Sequence, residues 1–295
     1  MSRMVPMRTF NFCRVSRENE RPGFEKMVET TEIVPEMERT ATGENATFVV
    51  EQSALRKIMK FFPYAMGAEE VIVNVSGSGV RFYATDTYKT RIGIFFLNKK
   101  DLNYFEYDGE QTFAVDPDDF KSVTNDLGSG AMLKFKKAGV KINVEAGDGH
   151  TKEIGTVYSP NEIFIPEFNM PYGMRVNGKA LYTAIKNLED MDAEDIRFKT
   201  VKAKSQVVLQ LSGKRDEKTE EITVTGEKNT FPEGETALFQ TEFLLRTLKL
   251  VQDADLLLRF KTNEPMKMSV RLPVKNRQHE YQVKGYYLVS PKIPD

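Results

Sequence analysis

The chain has 295 residues, 40% of them hydrophobic and 29% charged, which is enough to form two domains with cores of their own. Basic and acidic side chains number 42 and 43, so the composition excludes a protein that binds polyanions through a large overall positive charge. The single cysteine, Cys13, excludes an intramolecular disulfide, and no apolar run approaches the roughly 20 residues of a membrane-spanning helix. We expect a soluble intracellular protein with no membrane partner.

Residues 1–46 mix Arg, Glu, Pro and Thr without a sustained hydrophobic period. Such a composition is typical of chain that cannot bury enough apolar surface to fold. We therefore expect a disordered or atypical N-terminal leader.

The first strongly patterned segment is 52–62, which follows a short predicted strand at 48–50. On a helical wheel its apolar side chains share one arc and its cations share the opposite arc. These cations are Arg56, Lys57 and Lys60. Pro63 predicts the end of this helix.

Alternating β-branched and aromatic residues predict the strands of the first half. These strands are 71–75, 80–84, 91–97, 111–115, 132–135 and 140–144. The sequence Ser76-Gly-Ser-Gly79 is typical of a hairpin turn, because no Lys-Ser/Thr helix follows it as a phosphate-binding loop would require. Asp116-Pro-Asp-Asp predicts the start of a second helix, 118–127, since carboxylates are favoured at a helix N-terminus.

The second half repeats this order. Its predicted helices are 178–188 and 241–252, and its predicted strands are 174–176, 196–200, 207–211, 222–225, 256–260, 268–272 and 281–288. The segment at 132–135, MLKF, aligns with LLRF at 257–260. The repeat predicts an α+β fold of two similar domains, 47–158 and 173–295, each with two helices packed on antiparallel sheets. A connector at 159–172 joins them.

All four predicted helices carry cations on the side opposite their apolar residues. Beyond the first helix these are Lys121, Lys179, Lys186, Arg246 and Lys249. Cations on a single helix are ordinary for a solvated face, but their recurrence on four helices favours a surface for polyanions. Because no base-reading motif is present, we expect contact with the phosphates of DNA, independent of base sequence.

Three segments resemble the sliding clamps of the proliferating cell nuclear antigen (PCNA) family. They are Gly285-Tyr-Tyr-Leu-Val-Ser-Pro-Lys-Ile293, Ser78-Gly-Val-Arg-Phe82 with Asp86 after it, and Ile163-Phe-Ile-Pro-Glu167 in the connector. The likeness covers about 47–295, and the tail is one residue longer, at Val289-Ser290, than the family's. The resemblance implies two clamp domains per subunit, a ring of three subunits, helices facing duplex DNA and sheets facing outward.

The resemblance also implies partners. Clamps of this family are non-enzymatic processivity factors that tether DNA polymerase, flap endonuclease, ligase and other replication and repair enzymes, and an ATP-driven loader closes the ring on DNA. Partners insert a glutamine-and-aromatic peptide into a pocket between connector and tail. Carried onto this chain, the pocket would involve Thr90, Ile163, Ile165, Pro166, Pro265, Tyr287, Leu288, Val289 and Pro291. The protein would lie in the nucleus of a eukaryotic host, or otherwise in the cytoplasm or nucleoid.

Other functions stay open at this stage. A non-ring processivity factor of the kind some viruses use would hold DNA by charge on one face, and a checkpoint-type clamp would form a ring only with sister subunits. A hydrolase is disfavoured because no nucleophile elbow, Walker loop or dinucleotide fingerprint is present. His150 and His279 lack the Cys or His spacing of a zinc site, so we expect no catalytic residues, metal or cofactor.

Overall fold

A computed structural model describes residues 45–126, 132–138, 140–147, 149–156, 165, 168–215, 218–275 and 280–292. The described residues all belong to one compact unit. The predicted leader lies outside them except for its last two residues, and so does most of the predicted connector.

The structure confirms all four predicted helices. They are α1 (Gln52–Phe61), α2 (Pro117–Asp126), α3 (Gly178–Glu189) and α4 (Thr241–Val251). The expectation that the helical path ends at Pro63 was wrong. A π-helical turn, Phe62–Met66, continues α1 and ends at Gly67, whose φ of 62° is left-handed. Pro63 lies among the first residues of the π-helical turn, where its missing N–H removes none of that turn's own hydrogen bonds.

The strands fill the remainder of the described chain. They are β1 (Asn45–Glu51), β2 (Val71–Ser76), β3 (Gly79–Thr85), β4 (Arg91–Asn98), β5 (Tyr104–Tyr107), β6 (Gln111–Val115), β7 (Met132–Ala138), β8 (Lys141–Ala146), β9 (Thr151–Gly155), β10 (Met174–Asn177), β11 (Asp195–Ala203), β12 (Gln206–Arg215), β13 (Lys218–Val224), β14 (Thr236–Gln240), β15 (Asp255–Arg259), β16 (Met266–Lys275) and β17 (Glu280–Val289). Strands β5, β9 and β14 were not predicted.

The strands form three antiparallel sheets. One has the order β5-β1-β7-β8-β9, one has the order β13-β12-β11-β14, and an eight-stranded sheet runs β10-β15-β16-β17-β4-β3-β2-β6. The halves match element by element, because β1-β7-β8-β9 corresponds to β10-β15-β16-β17, and β4-β3-β2-β6 corresponds to β13-β12-β11-β14. The eight-stranded sheet therefore joins half a repeat from each side of the connector, at the pair β17–β4.

Large aromatic side chains pack against glycines at this β17–β4 junction. Gly285 pairs with Phe95, and a Cβ added to Gly285 would lie 2.4 Å from the Phe95 ring. Gly93 pairs with Tyr287 in the same ladder. The Phe61 ring at the end of α1 lies 5.0 Å from Phe95 and 5.8 Å from Tyr287, centroid to centroid. Helices and sheet are thus held together where the two halves meet.

The helices form one layer on one side of the sheets. α1 packs on α2, α3 packs on α4, and α4 packs on the π-helical turn after α1. The apolar faces predicted from the helical wheels are buried, as Leu55, Ile58 and Met59 show with no exposed surface. The opposite faces of the four helices carry the cations, and Lys57 of α1 reaches the carbonyl oxygen of Pro273 in β16.

Candidate functional site

Seven of the eight cations predicted to face DNA are exposed, and Lys186 is half-buried. The difference among the helices lies in the carboxylates beside these cations. On α4, Glu242 pairs with Arg246, and on α3 both Glu189 and Asp190 pair with Lys186. The hydrogen bond that Lys186 donates to the Glu189 carboxylate raises the pKa of Lys186 above its usual range, so the lysine stays charged beside two carboxylates.

Helix α1 differs from the other three helices in its charge. This helix carries Arg56, Lys57 and Lys60 and no carboxylate. Lys57 Nζ donates to the carbonyl oxygen of Pro273 at 2.6 Å, a bond that leaves its charge unpaired. On α2, by contrast, Lys121 lies 3.8 Å from Asp118. Among the four helices, α1 therefore has the highest net positive charge.

An apolar surface lies on the other face of the eight-stranded sheet. Side chains alternate along its strands, so that Phe82, Phe95 and Val283 face the helices while their neighbours face outward. The outward residues form a cluster of Ile72, Tyr83, Ile94 and Ala114, against which Ile92, Ile165 and Tyr286 pack. The structure thus brings Ile165 of the connector against this outward cluster.

Other predicted pocket residues fall in three groups. Thr90, Pro265 and Pro291 are half-buried, and Leu288, buried at 5% exposure, pairs with Ile92. Ile163 and Pro166 lie outside the described residues. Tyr287 and Val289 correct the prediction, because they lie on the helix side of the sheet and are 2% and 1% exposed.

The adjacent residue Tyr286 takes the outward position that the tail motif assigned to Tyr287. Tyr286 faces the apolar cluster, and Lys267 Nζ lies 4.1 Å from the centre of its ring. Sequence reasoning missed it because a one-residue change in register moves a strand side chain to the opposite face.

A buried ion pair fixes the loop between β3 and β4. Arg91 Nε donates to Asp86 Oδ2 at 3.1 Å, and Asp86 also accepts from Thr90 N, Thr90 Oγ1 and Arg91 N. Arg91 Nη1 and Nη2 donate to the carbonyl oxygens of Ala65 and Met66, and the guanidinium lies 3.9 Å from the centre of the Phe243 ring of α4. Asp86 belonged to the family-like motif, but its partner Arg91 was not predicted.

This ion pair connects the candidate pocket to both halves of the chain. Thr90 O accepts a hydrogen bond from Ser290 N at 2.9 Å, which ties the loop to the tail. Charge-assisted bonds inside a protein are strong when every donor has an acceptor. The arrangement therefore holds the predicted pocket wall rigidly.

The described part of the chain contains no group of three or more His, Cys, Asp or Glu side chains that could hold a metal ion. Among those same residues, no helix is both long and apolar enough to cross a membrane.

Comparison with known proteins gives matches among solved structures alone, since no family model matches the sequence and no curated protein matches it. The complex of the FEN-1 C-terminal region with A. fulgidus PCNA matches at 17% identity and a TM-score of 0.71, covering 85% of this chain and 99% of the other. PCNA from Entamoeba histolytica matches at 13% identity and a TM-score of 0.67, covering 86% of this chain and 100% of the other. The Sulfolobus tokodaii PCNA2–PCNA3 complex matches at 15% identity and a TM-score of 0.65, covering 83% of this chain and 99% of the other. The resemblance read from the sequence is confirmed in the architecture: this chain has the fold of the PCNA sliding clamps.

Proposed function

We propose that the protein is a DNA sliding clamp, a ring of three subunits that encircles duplex DNA and tethers DNA polymerase and other enzymes to it. The single observation that carries the proposal is the β17–β4 pair, which joins the two halves of the chain into one continuous sheet. The same pairing repeated between chains would generate a ring.

The internal repeat specifies which strands would pair between subunits. β9 of the first half corresponds to β17, and β13 of the second half corresponds to β4. Within the described residues, β9 and β13 are the last strands of their sheets. We infer that β9 of one subunit pairs with β13 of the next. This is a head-to-tail contact, which closes into a ring when its rotation divides a full turn.

The helix layer would then line the hole of the ring. Its cations would contact phosphates, with α1 contributing most because it has no carboxylate. A closed ring is retained on DNA by topology, so weak contacts suffice and still permit sliding. Loading such a ring requires opening it, and the resemblance implies an ATP-driven loader for that step.

The outward apolar cluster would receive the partner peptide. It is lined by Ile92, Ile165 and Tyr286, with the Thr90 loop at its rim, and apolar slots of this kind accept aromatic anchors. The complex of the FEN-1 C-terminal region with A. fulgidus PCNA, a protein of the same fold, supports peptide capture. DNA polymerase, flap endonuclease and ligase are the partners we propose.

Retention on DNA of different topology tests the proposal. Subunits loaded onto nicked circular DNA should stay bound through gel filtration in high salt, and should be lost after a single cut that makes the DNA linear. Equal retention on both forms would indicate a non-ring factor instead. Light scattering of the free protein should give a trimer, whereas a monomer that forms a ring only with other clamp chains would favour the heterotrimeric alternative.

A further inference from the structure

A row of cations crosses the outward face of the eight-stranded sheet. Arg81 on β3 pairs with Phe96 on β4, Phe96 pairs with Lys284 on β17, and Lys284 pairs with Arg271 on β16. The neighbours of these residues along each strand, such as Phe82 and Phe95, face the helices, so the four side chains all face outward. We call Arg81, Lys284 and Arg271, with Phe96 between them, the cationic row.

The cationic row is unfavourable for the isolated chain. Like charges directly opposite each other on neighbouring strands destabilise a sheet, and Lys284 and Arg271 are such a pair. Within the described residues, Arg81, Lys284 and Arg271 form no ion pair. Asn74, the residue opposite Arg81 on β2, donates from Nδ2 to the Glu110 carboxylate at 3.0 Å. A bound anion would relieve the repulsion that the sequence places here.

A cleft of about 350 Å³ adjoins the cationic row. Lys284 and Lys100 stand on its walls, and Phe96 provides an apolar surface between them. Its remaining lining consists of Asn98, Asp101, Pro273 and Gln282. The amides and the single carboxylate offer hydrogen bonds alongside the cations, which suits a ligand that combines carboxylates with a peptide backbone. A polyphosphate strand would lie against Asp101.

The row is continuous with the apolar cluster that we assign to the partner peptide. The next outward row along the same strands is Tyr83, Ile94 and Tyr286, two residues away on each strand and so about 7 Å distant. A peptide anchored in the cluster needs only two or three further extended residues to reach the cations.

We propose that the cationic row binds an acidic segment of the partner protein that flanks its clamp-binding peptide. This inference rests on the proposed function of the neighbouring pocket. The cationic row itself is observed independently of that function. Its role would be specificity: partners with acidic flanks would bind more tightly than partners with neutral ones, and the difference would fall with salt.

Peptide titration tests the proposal on the full chain. The FEN-1 C-terminal peptide, synthesised with four added glutamates at either end, is compared with the same peptide carrying four serines. We expect the glutamates at one of the two ends to tighten Kd by about three- to tenfold, since exposed ion pairs contribute modestly and add over two or three contacts. The gain should disappear in the variant Arg81→Gln/Lys284→Gln/Arg271→Gln.

A matched variant controls for charge. Arg197, Lys199 and Lys202 are three exposed cations on β11, in a different sheet. Arg197→Gln/Lys199→Gln/Lys202→Gln should leave the gain unchanged. No gain at either end, or an equal loss in both variants, would overturn the proposal while leaving the peptide pocket intact.

A second measurement does not depend on the pocket. A glutamate-rich peptide without the clamp-binding motif is coupled to the protein with a carbodiimide, which joins carboxylates to lysine amines. Labelling enriched at Lys284 and Lys100 over Lys199 and Lys202 would support the row even if the FEN-1 peptide failed to bind. Equal labelling of all four lysines would contradict the proposal. Tighter binding of a single-stranded oligothymidylate than of the acidic peptide at the cationic row would also contradict it.

Discussion

Tyr286 and Tyr287 have the same side chain but opposite environments, because successive residues of β17 face opposite sides of one sheet. Tyr286 faces outward beside Lys267, whereas Tyr287 is enclosed by Phe61 and the helix layer. The Tyr287 and Thr247 hydroxyls are both fully buried, and neither forms a hydrogen bond of good geometry within the described part of the chain. They are still close enough to interact, and Thr247 and Arg91 hold the Tyr287 pKa below the value that burial alone would give. Burial raises the pKa of Tyr287 to about 12.

This raised pKa makes stability sensitive to alkali. The unfolded chain loses the phenolic proton near pH 10 and the folded chain near pH 12, so stability is complete below pH 10 and falls as pH rises through that window. Two pKa units correspond to about 2–3 kcal/mol. Tyr287→Phe should remove this part of the decline and leave stability at pH 7 unchanged or higher, since it deletes an unpaired buried hydroxyl.

Urea unfolding of both proteins from pH 8 to pH 12 measures the effect. Tyr88→Phe is the matched control, because Tyr88 is 80% exposed and its removal should not alter the decline. A decline of equal size in wild type and Tyr287→Phe would show that Tyr287 does not carry it.

At the scale of elements, the sequence predicts the helices and strands that have one apolar and one polar face. Helices α1 to α4 each bury one apolar stripe, so the 3.6-residue period alone locates them and their exposed cations. The unpredicted strands β5, β9 and β14 all lie at sheet edges. Edge strands are held by backbone hydrogen bonds on one side and need less apolar burial, which leaves a weak alternation in sequence. The pocket was harder to predict, since its facing residues depend on the pairing register of β17 with β4.

The helix α1 gives the sharpest element-level prediction. Replacing Arg56, Lys57 and Lys60 with Glu should leave the fold intact, because all three side chains are exposed and the bond from Lys57 to Pro273 lies at the surface. Duplex binding should weaken, and the slope of log K against log salt should fall by about 2–3, since each phosphate contact contributes about 0.9 to that slope. Fluorescence polarisation at several salt concentrations measures it.

Arg197→Glu/Lys199→Glu/Lys202→Glu makes the same change in net charge on β11. Equal weakening in both variants would show that the overall charge of the protein matters and the face of α1 does not. Unfolding of the α1 variant would show that the helix is oriented wrongly in our account.

At the scale of the whole molecule, the internal repeat links fold to assembly. Within the chain, β17 and β4 pair and so join two half-repeats. Their counterparts in the repeat, β9 and β13, lie at sheet edges in the described structure and offer the same two surfaces to other subunits. The groove between α3 and β13 is part of the second surface. It has a volume of about 510 Å³ and is lined by Lys179, Ala180, Thr183, Ala184, Asn187, Ile222, Thr223, Val224 and Thr225. In the first half the corresponding position, beside the end of α1, is where α4 packs on the π-helical turn.

Filling this groove should therefore prevent assembly without harming the subunit. Thr183 is exposed on α3, so Thr183→Trp should change the free energy of unfolding by no more than about 0.5 kcal/mol, as for other surface substitutions. The bulky ring would occupy space that the next subunit needs, because interfaces are packed as tightly as protein interiors. Sedimentation across a concentration series should show the trimer dissociating at least tenfold more readily, with retention on circular DNA lost in parallel. Lys60→Trp is the matched control: it places the same ring on α1, outside the groove, and this variant should form trimers normally. If the Thr183→Trp trimer is as stable as the wild-type trimer, the subunit contact lies elsewhere.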